Sequence, residues 1–201
     1  MKNKSVAKYF SQKSFSVLDI ICIIAAVISG VVATVVRGGG PIGFPILGVA
    51  VVVLVFSRSS RSKEEEVDKE LDRLLVEKGI DSTAKNSVSG FDLEAKVIRG
   101  NDQKLRSERY FVTFFDFLEE KITVKSFCLD LINGTVTENV YEICKGERVS
   151  VFETAVPNVS NKKSCRLCCE SFCGAGVPVS LDDLESSKLI EKVCAAGEKK
   201  N

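Results

Sequence analysis

The chain has 201 residues, 28 Lys and Arg against 27 Asp and Glu, and no histidine. That length suits one ordinary domain plus a further segment. The missing histidine removes the commonest general base and metal ligand, and the lack of overall basic character argues against a nucleic-acid partner.

The charge is divided along the chain. Residues 1–61 hold seven basic side chains and one acid, Asp19, a net of +6, and the remainder carries −5. Such asymmetry predicts different surroundings for the two parts. Residues 1–16, with Lys2, Lys4, Lys8 and Lys13, read as a basic cytoplasmic N-terminus. Val17 to Val36 is an apolar run long enough, at 1.5 Å per residue, to cross a hydrocarbon core of about 30 Å. Arg37-Gly38-Gly39-Gly40 interrupts it, and Pro41 to Phe56 forms a second, shorter apolar run with Pro41 and Pro45. Together they predict a two-helix transmembrane hairpin over residues 17–57. Ala26 with Gly30, and Ser29 with Ala33, place small residues on one helical face, the usual device for close helix packing. Arg58, Arg61 and Lys63 follow the second run. By the distribution of basic residues both termini face the cytoplasm, which predicts a multi-pass (two-span) cell-membrane protein whose first partner is the membrane itself.

A connecting amphipathic helix is predicted over residues 62–80. Ser62-Lys63-Glu64-Glu65 reads as a capping box, Val67, Leu71, Leu74 and Leu75 form one stripe, and Gly79 sits at the terminating position. From Phe91 onward the pattern is strand-like. Strands are expected over Phe91 to Ile98, Tyr110 to Leu118, Lys121 to Leu129, Thr135 to Ile143, Arg148 to Val156, Ser164 to Ser171 and Val177 to Val179. Asn133-Gly134 is the strongest hairpin signal among them. Ser180, with Asp183 three residues on, predicts a capped C-terminal helix. Residues 62–201 are expected to remain soluble without the hairpin.

The segments Tyr110-Phe-Val-Thr113, Tyr141-Glu-Ile-Cys-Lys-Gly-Glu-Arg-Val-Ser-Val-Phe-Glu153 and Val177-Pro-Val-Ser180 resemble those of membrane-anchored bacterial pleckstrin-homology-like proteins. The resemblance implies, over residues 91–197, an α+β soluble domain: a seven-stranded antiparallel PH-like barrel or sandwich closed by a C-terminal helix. Lys145-Gly146 departs from the family's pattern at that turn.

Two clusters carry candidate chemistry. Cys165, Cys168, Cys169 and Cys173 are one Cys-x2-Cys knuckle with neighbours, and zinc wants four such ligands in a tetrahedron. Period-two alternation instead puts Cys165 and Cys169 on one buried strand face, where cysteine acts as a small apolar residue. Lys96, Lys104, Arg106 and Arg109 form a basic loop able to contact an anionic headgroup, although Asp102 and Glu108 interrupt it. Nothing resembles a nucleophile and base, so no enzyme, cofactor or small-molecule substrate is expected. The reading is a non-enzymatic, membrane-tethered cytoplasmic interaction module that binds an unknown protein partner or itself. The alternatives are a metal- or redox-responsive membrane protein using the 165–173 cluster, or a lipid-headgroup binder using the 96–109 loop.

Overall fold

The computed structural model describes residues 2–11, 17–35, 40–59, 64–100, 102–156, 162–172 and 176–198. The chain divides into two units, one of residues 1–10 with 64–201 and one of residues 11–63.

In the smaller unit, α2 (Val17–Val35) and α3 (Gly40–Ser59) pack against each other. Cys22, Ser29 and Ala50 are buried, while Ile24, Val27, Val31, Phe44, Val49 and Val52 are exposed. The Ser29 hydroxyl donates to the Ala25 carbonyl of its own helix at 2.5 Å, and a Cβ at Gly30 would meet nothing, so Gly30 does not mark a close helix approach. Among the described residues, no helix is long and apolar enough to cross a membrane. The transmembrane hairpin is corrected accordingly. Pro41 to Phe56 reaches only about 24 Å as helix, Pro45 lies inside α3, and α3 ends in Ser57-Arg58-Ser59. With no qualifying span, integral membrane partnership, cell-membrane localisation and the two-span topology with cytoplasmic termini are corrected as well.

The larger unit begins with an element that charge counting missed. Asn3 caps α1 (Lys4–Ser11) by accepting from the amides of Ser5 and Val6 at 3.1 and 3.2 Å. The Asn3 amide donates to the Ile132 carbonyl at 2.7 Å. Val6, Tyr9 and Phe10, spaced for one helical face, are all buried. After the second unit, α4 (Glu64–Lys78) starts with three acids in its first turn, where the helix dipole favours them. It stops at Gly79, whose φ of 63° suits a left-handed cap, with the Ile80 amide donating to the Leu75 carbonyl.

Among the described residues nine strands follow, in place of the expected seven: β1 (Ser87–Phe91), β2 (Val97–Arg99), β3 (Leu105–Ser107), β4 (Arg109–Phe117), β5 (Lys121–Asp130), β6 (Thr135–Cys144), β7 (Ser150–Ala155), β8 (Lys163–Cys168) and β9 (Val177–Val179). They form a four-stranded antiparallel sheet of order β1-β4-β5-β6, a β2-β3 hairpin and a β7-β8-β9 sheet, and not a seven-stranded PH-like barrel. The expected strand from Phe91 to Ile98 does not form. Asp92 accepts the Glu94 amide at 3.1 Å, and this Asx turn parts β1 from β2. A short 3-10 turn (Glu170–Phe172) ends the expected Ser164–Ser171 strand early. The last helix, α5 (Leu184–Glu198), starts after Asp183, not Ser180.

Each face of the four-stranded sheet carries a core, except along residues 137–140 of the outer strand β6. Phe111, Phe115, Ile122, Val124 and Ile143 share a core with Leu167, Val177 and Val179 of the three-stranded sheet and with Ile190 and Val193 of α5. On the opposite face, Val112 and Leu129 join Leu131 and pack with Val6, Tyr9 and Phe10 of α1 and with Val67 and Leu74 of α4. Side chains two apart on β4 therefore enter the same core and adjacent ones enter different cores, as strand geometry requires. Thr113, fully buried, ties the sheets together by donating to the Pro178 carbonyl at 3.0 Å.

Candidate interaction cleft

A cleft of about 1240 Å³ opens in the larger unit. Its walls come from α4 (Asp68, Leu71), β1 (Ser89, Phe91), the β2-β3 hairpin, the facing ends of β7 and β8, and the segment from β9 into α5.

The register of β1 decides what its wall offers. The Asp92 amide donates to the Arg109 carbonyl and the Phe115 amide to the Asn86 carbonyl. The bonded pairs with β4 therefore fall on even positions of β1, and the peptide groups of Ser89 and Phe91 turn away from β4. Neither amide has a backbone partner among the described residues. Tyr110 supports this wall, its hydroxyl donating to Ser89 Oγ at 3.0 Å and its ring meeting Phe91 edge-on at 5.2 Å.

Most charges around the cleft are matched internally. Lys162 pairs with Asp182 at 2.6 Å, and Lys163 pairs with Glu153 across the β7-β8 ladder. Arg166 holds Glu94 at 2.7 Å and approaches buried Asp92 at 3.7 Å. The Arg166 guanidinium keeps the Glu94 carboxyl below its usual range.

The basic loop is divided by the fold. Lys96, Lys104 and Arg109 are exposed. Arg106 is 3% exposed and bound on two sides. Its Nε and Nη2 donate to Asp68 at 2.8 and 2.7 Å, and its Nη1 and Nη2 donate to Asp102 at 2.9 Å each. It clamps the hairpin to α4 and is not presented to a ligand. Lys104, two residues earlier, is exposed, and its carbonyl accepts from the Gly100 amide at 2.9 Å. Local signals for the clamp existed in Asp102, four residues before Arg106, and in Gly100. A Cβ at Gly100 would come within 2.6 Å of an Asp102 oxygen and 2.9 Å of Arg106 Nη1.

The Arg106 guanidinium brings the Asp102 carboxyl down to about 2. A depressed carboxylate stabilises the fold fully above its unfolded value of 3.8, and the contribution is lost as pH falls through about 2. Thermal melts between pH 4 and pH 2 should therefore show a loss of stability that Asp102→Asn makes shallower. An equal slope in both proteins would mean the ion pair does not form.

The cysteines separate too. Cys165 and Cys169 are buried in the core beneath the three-stranded sheet, Cys168 is half-buried, and Cys173 lies outside the described residues. Burial pushes the Cys165 thiol up. Among the described residues, no group of three or more His, Cys, Asp or Glu side chains is placed to hold a metal ion. Replacing Cys165 or Cys169 by alanine should cost about 1–2 kcal/mol each by lost packing, measured by urea unfolding, without releasing zinc. Metal that leaves with the mutation would overturn the packing account.

No protein-family model, curated protein or solved structure matches the chain.

Proposed function

We propose that the chain is a non-enzymatic interaction module that seats an extended segment of a partner protein in the cleft, paired along β1. The observation that carries this is the pair of outward peptide groups at Ser89 and Phe91, aligned on the cleft wall. Adding a strand to such an edge gives affinity through main-chain hydrogen bonds and specificity through pockets for alternate side chains. Leu71, Phe91 and Tyr110 supply apolar contact, and the paired charges around the walls supply a polar rim. A five-residue strand matches about 17 Å of partner chain.

Panning a random peptide library on the full-length chain tests this. Selected peptides should slow hydrogen exchange at the Ser89 and Phe91 amides. Ser89→Pro should weaken their binding about tenfold or more while leaving the fold intact, because the lost donor faces away from β4 and proline is tolerated on an edge strand. Peptides that protect other amides and ignore Ser89→Pro would sink the reading.

A further inference from the structure

The opposite edge of the four-stranded sheet has its own unfilled valence. β6 is ten residues long and outermost in the order β1-β4-β5-β6. Edge strands are normally blunted by proline, a bulge, short length or charged side chains, since an open ladder invites another strand. β6 has no proline, no glycine and an unbroken register with β5. Its two acids are matched from within, Glu138 by Lys125 at 2.9 Å and Glu142 by Lys121. Residues 137–140 are exposed on both faces, with Val140 at 57%.

We infer that β6 pairs antiparallel with β6 of a second copy of this chain, about a two-fold axis at Asn139. The Lys145 amide donates to the Glu120 carbonyl. That end fixes the β5-β6 ladder so that odd positions of β6 bond β5 and even ones face outward. The outward groups are those of Val136, Glu138, Val140 and Glu142, and none has a backbone partner among the described residues. A fifth outward amide, that of Cys144, already donates to the Glu147 carboxylate at 2.8 Å.

These facts choose both the register and the occupant. Centring on Val140 sets Glu138 against Glu142 of the second copy and wastes a bond on Cys144. Centring on Tyr141 sets Glu138 against Cys144. Centring on Asn139 uses all four outward positions, with Glu138 opposite Val140 and Glu142 opposite Val136, and places no like charges face to face. The strand is complementary to itself. Asn139 then meets its own symmetry mate in a non-hydrogen-bonded pair, with Cα atoms about 4.5 Å apart, a separation a disulfide spans.

The test uses the full-length chain. Under mild copper-phenanthroline oxidation, Asn139→Cys should form a covalent dimer well above both the unsubstituted chain and Thr137→Cys, whose position faces 141 of the second copy and not itself. Adding Val140→Glu should lower that yield, and the dimer fraction in sedimentation velocity, about tenfold, because two symmetry-related pairs of like charges then oppose each other. The substitution suits the monomer, since Lys125 lies directly across from position 140 in β5. An Asn139→Cys chain that cross-links no better than Thr137→Cys overturns the proposal. So does cross-linking that Val140→Glu leaves unchanged, and so does a purely monomeric chain.

Discussion

Phe10→Ala should destabilise the larger unit by about 3–5 kcal/mol, the cost of emptying a buried phenylalanine site. Phe10 is 1% exposed and packs with Val6 and Tyr9 into the core that holds Val112, Leu129 and Leu131. Urea unfolding followed by the strand signal in circular dichroism measures it. Val76→Ala, at a position 82% exposed on α4, serves as a control that should stay within about 0.5 kcal/mol. A fragment of residues 62–201 keeps α4 but lacks α1 and bares the part of that face that Val6, Tyr9 and Phe10 cover, so it should express as an aggregation-prone species and not as a well-folded domain. A fragment as stable as the full chain, or a Phe10→Ala chain as stable as the control, would show that α1 is not part of the core.

Arg106→Leu should cost about 3 kcal/mol, the low end for breaking a buried ion pair, because the carboxylates left behind reach solvent. Asp68 is 48% and Asp102 37% exposed at the side chain, against 3% for Arg106. Arg106→Lys should recover only part of the loss, since one ammonium cannot reproduce two forked contacts. Hydrogen exchange should localise the damage to residues 97–107, where β2 and β3 depend on the clamp for their hold on α4. If Arg106→Lys matches the native chain, the bidentate geometry contributes nothing.

The parts of the fold legible in the sequence are those whose signals are local. Gly79 ended α4 where a left-handed residue was needed, and Gly134, with φ of 65°, turned β5 into β6 where Asn133-Gly134 predicted it. The C-terminal helix was legible but its cap was misplaced, because Ser180 and Asp183 both carry capping oxygens. The Ser180 hydroxyl accepts the Asp182 amide and shapes only a bend. The Asp183 carboxylate accepts both the amide and the hydroxyl of Ser186, at 2.7 and 2.6 Å, and starts the helix. Asp92 shows a turn signal overlooked within an otherwise strand-like run. Arg106 shows the limit for the site: its first partner, Asp68, lies 38 residues earlier. No spacing rule connects a hairpin arginine to a distant helix, so an exposed basic loop was the natural expectation. The open edges of β1 and β6 depend on which strands end each sheet and on ladder parity, neither of which exists before the strands are paired.

The bond from Asn3 to Ile132 has a consequence for the order of folding. It closes a circuit of well over a hundred residues, within which residues 11–63 form a unit of their own. During synthesis α1 emerges before the strands it covers, and an eight-residue helix is too short to persist by itself in water. Its apolar side chains must wait until β4 and β5 exist, and closing so long a loop makes the contact slow to form, although doubling the loop adds only about 0.6 kcal/mol. Docking of α1 should therefore be a late step, one that seals the face opposite α5 after the two sheets have met.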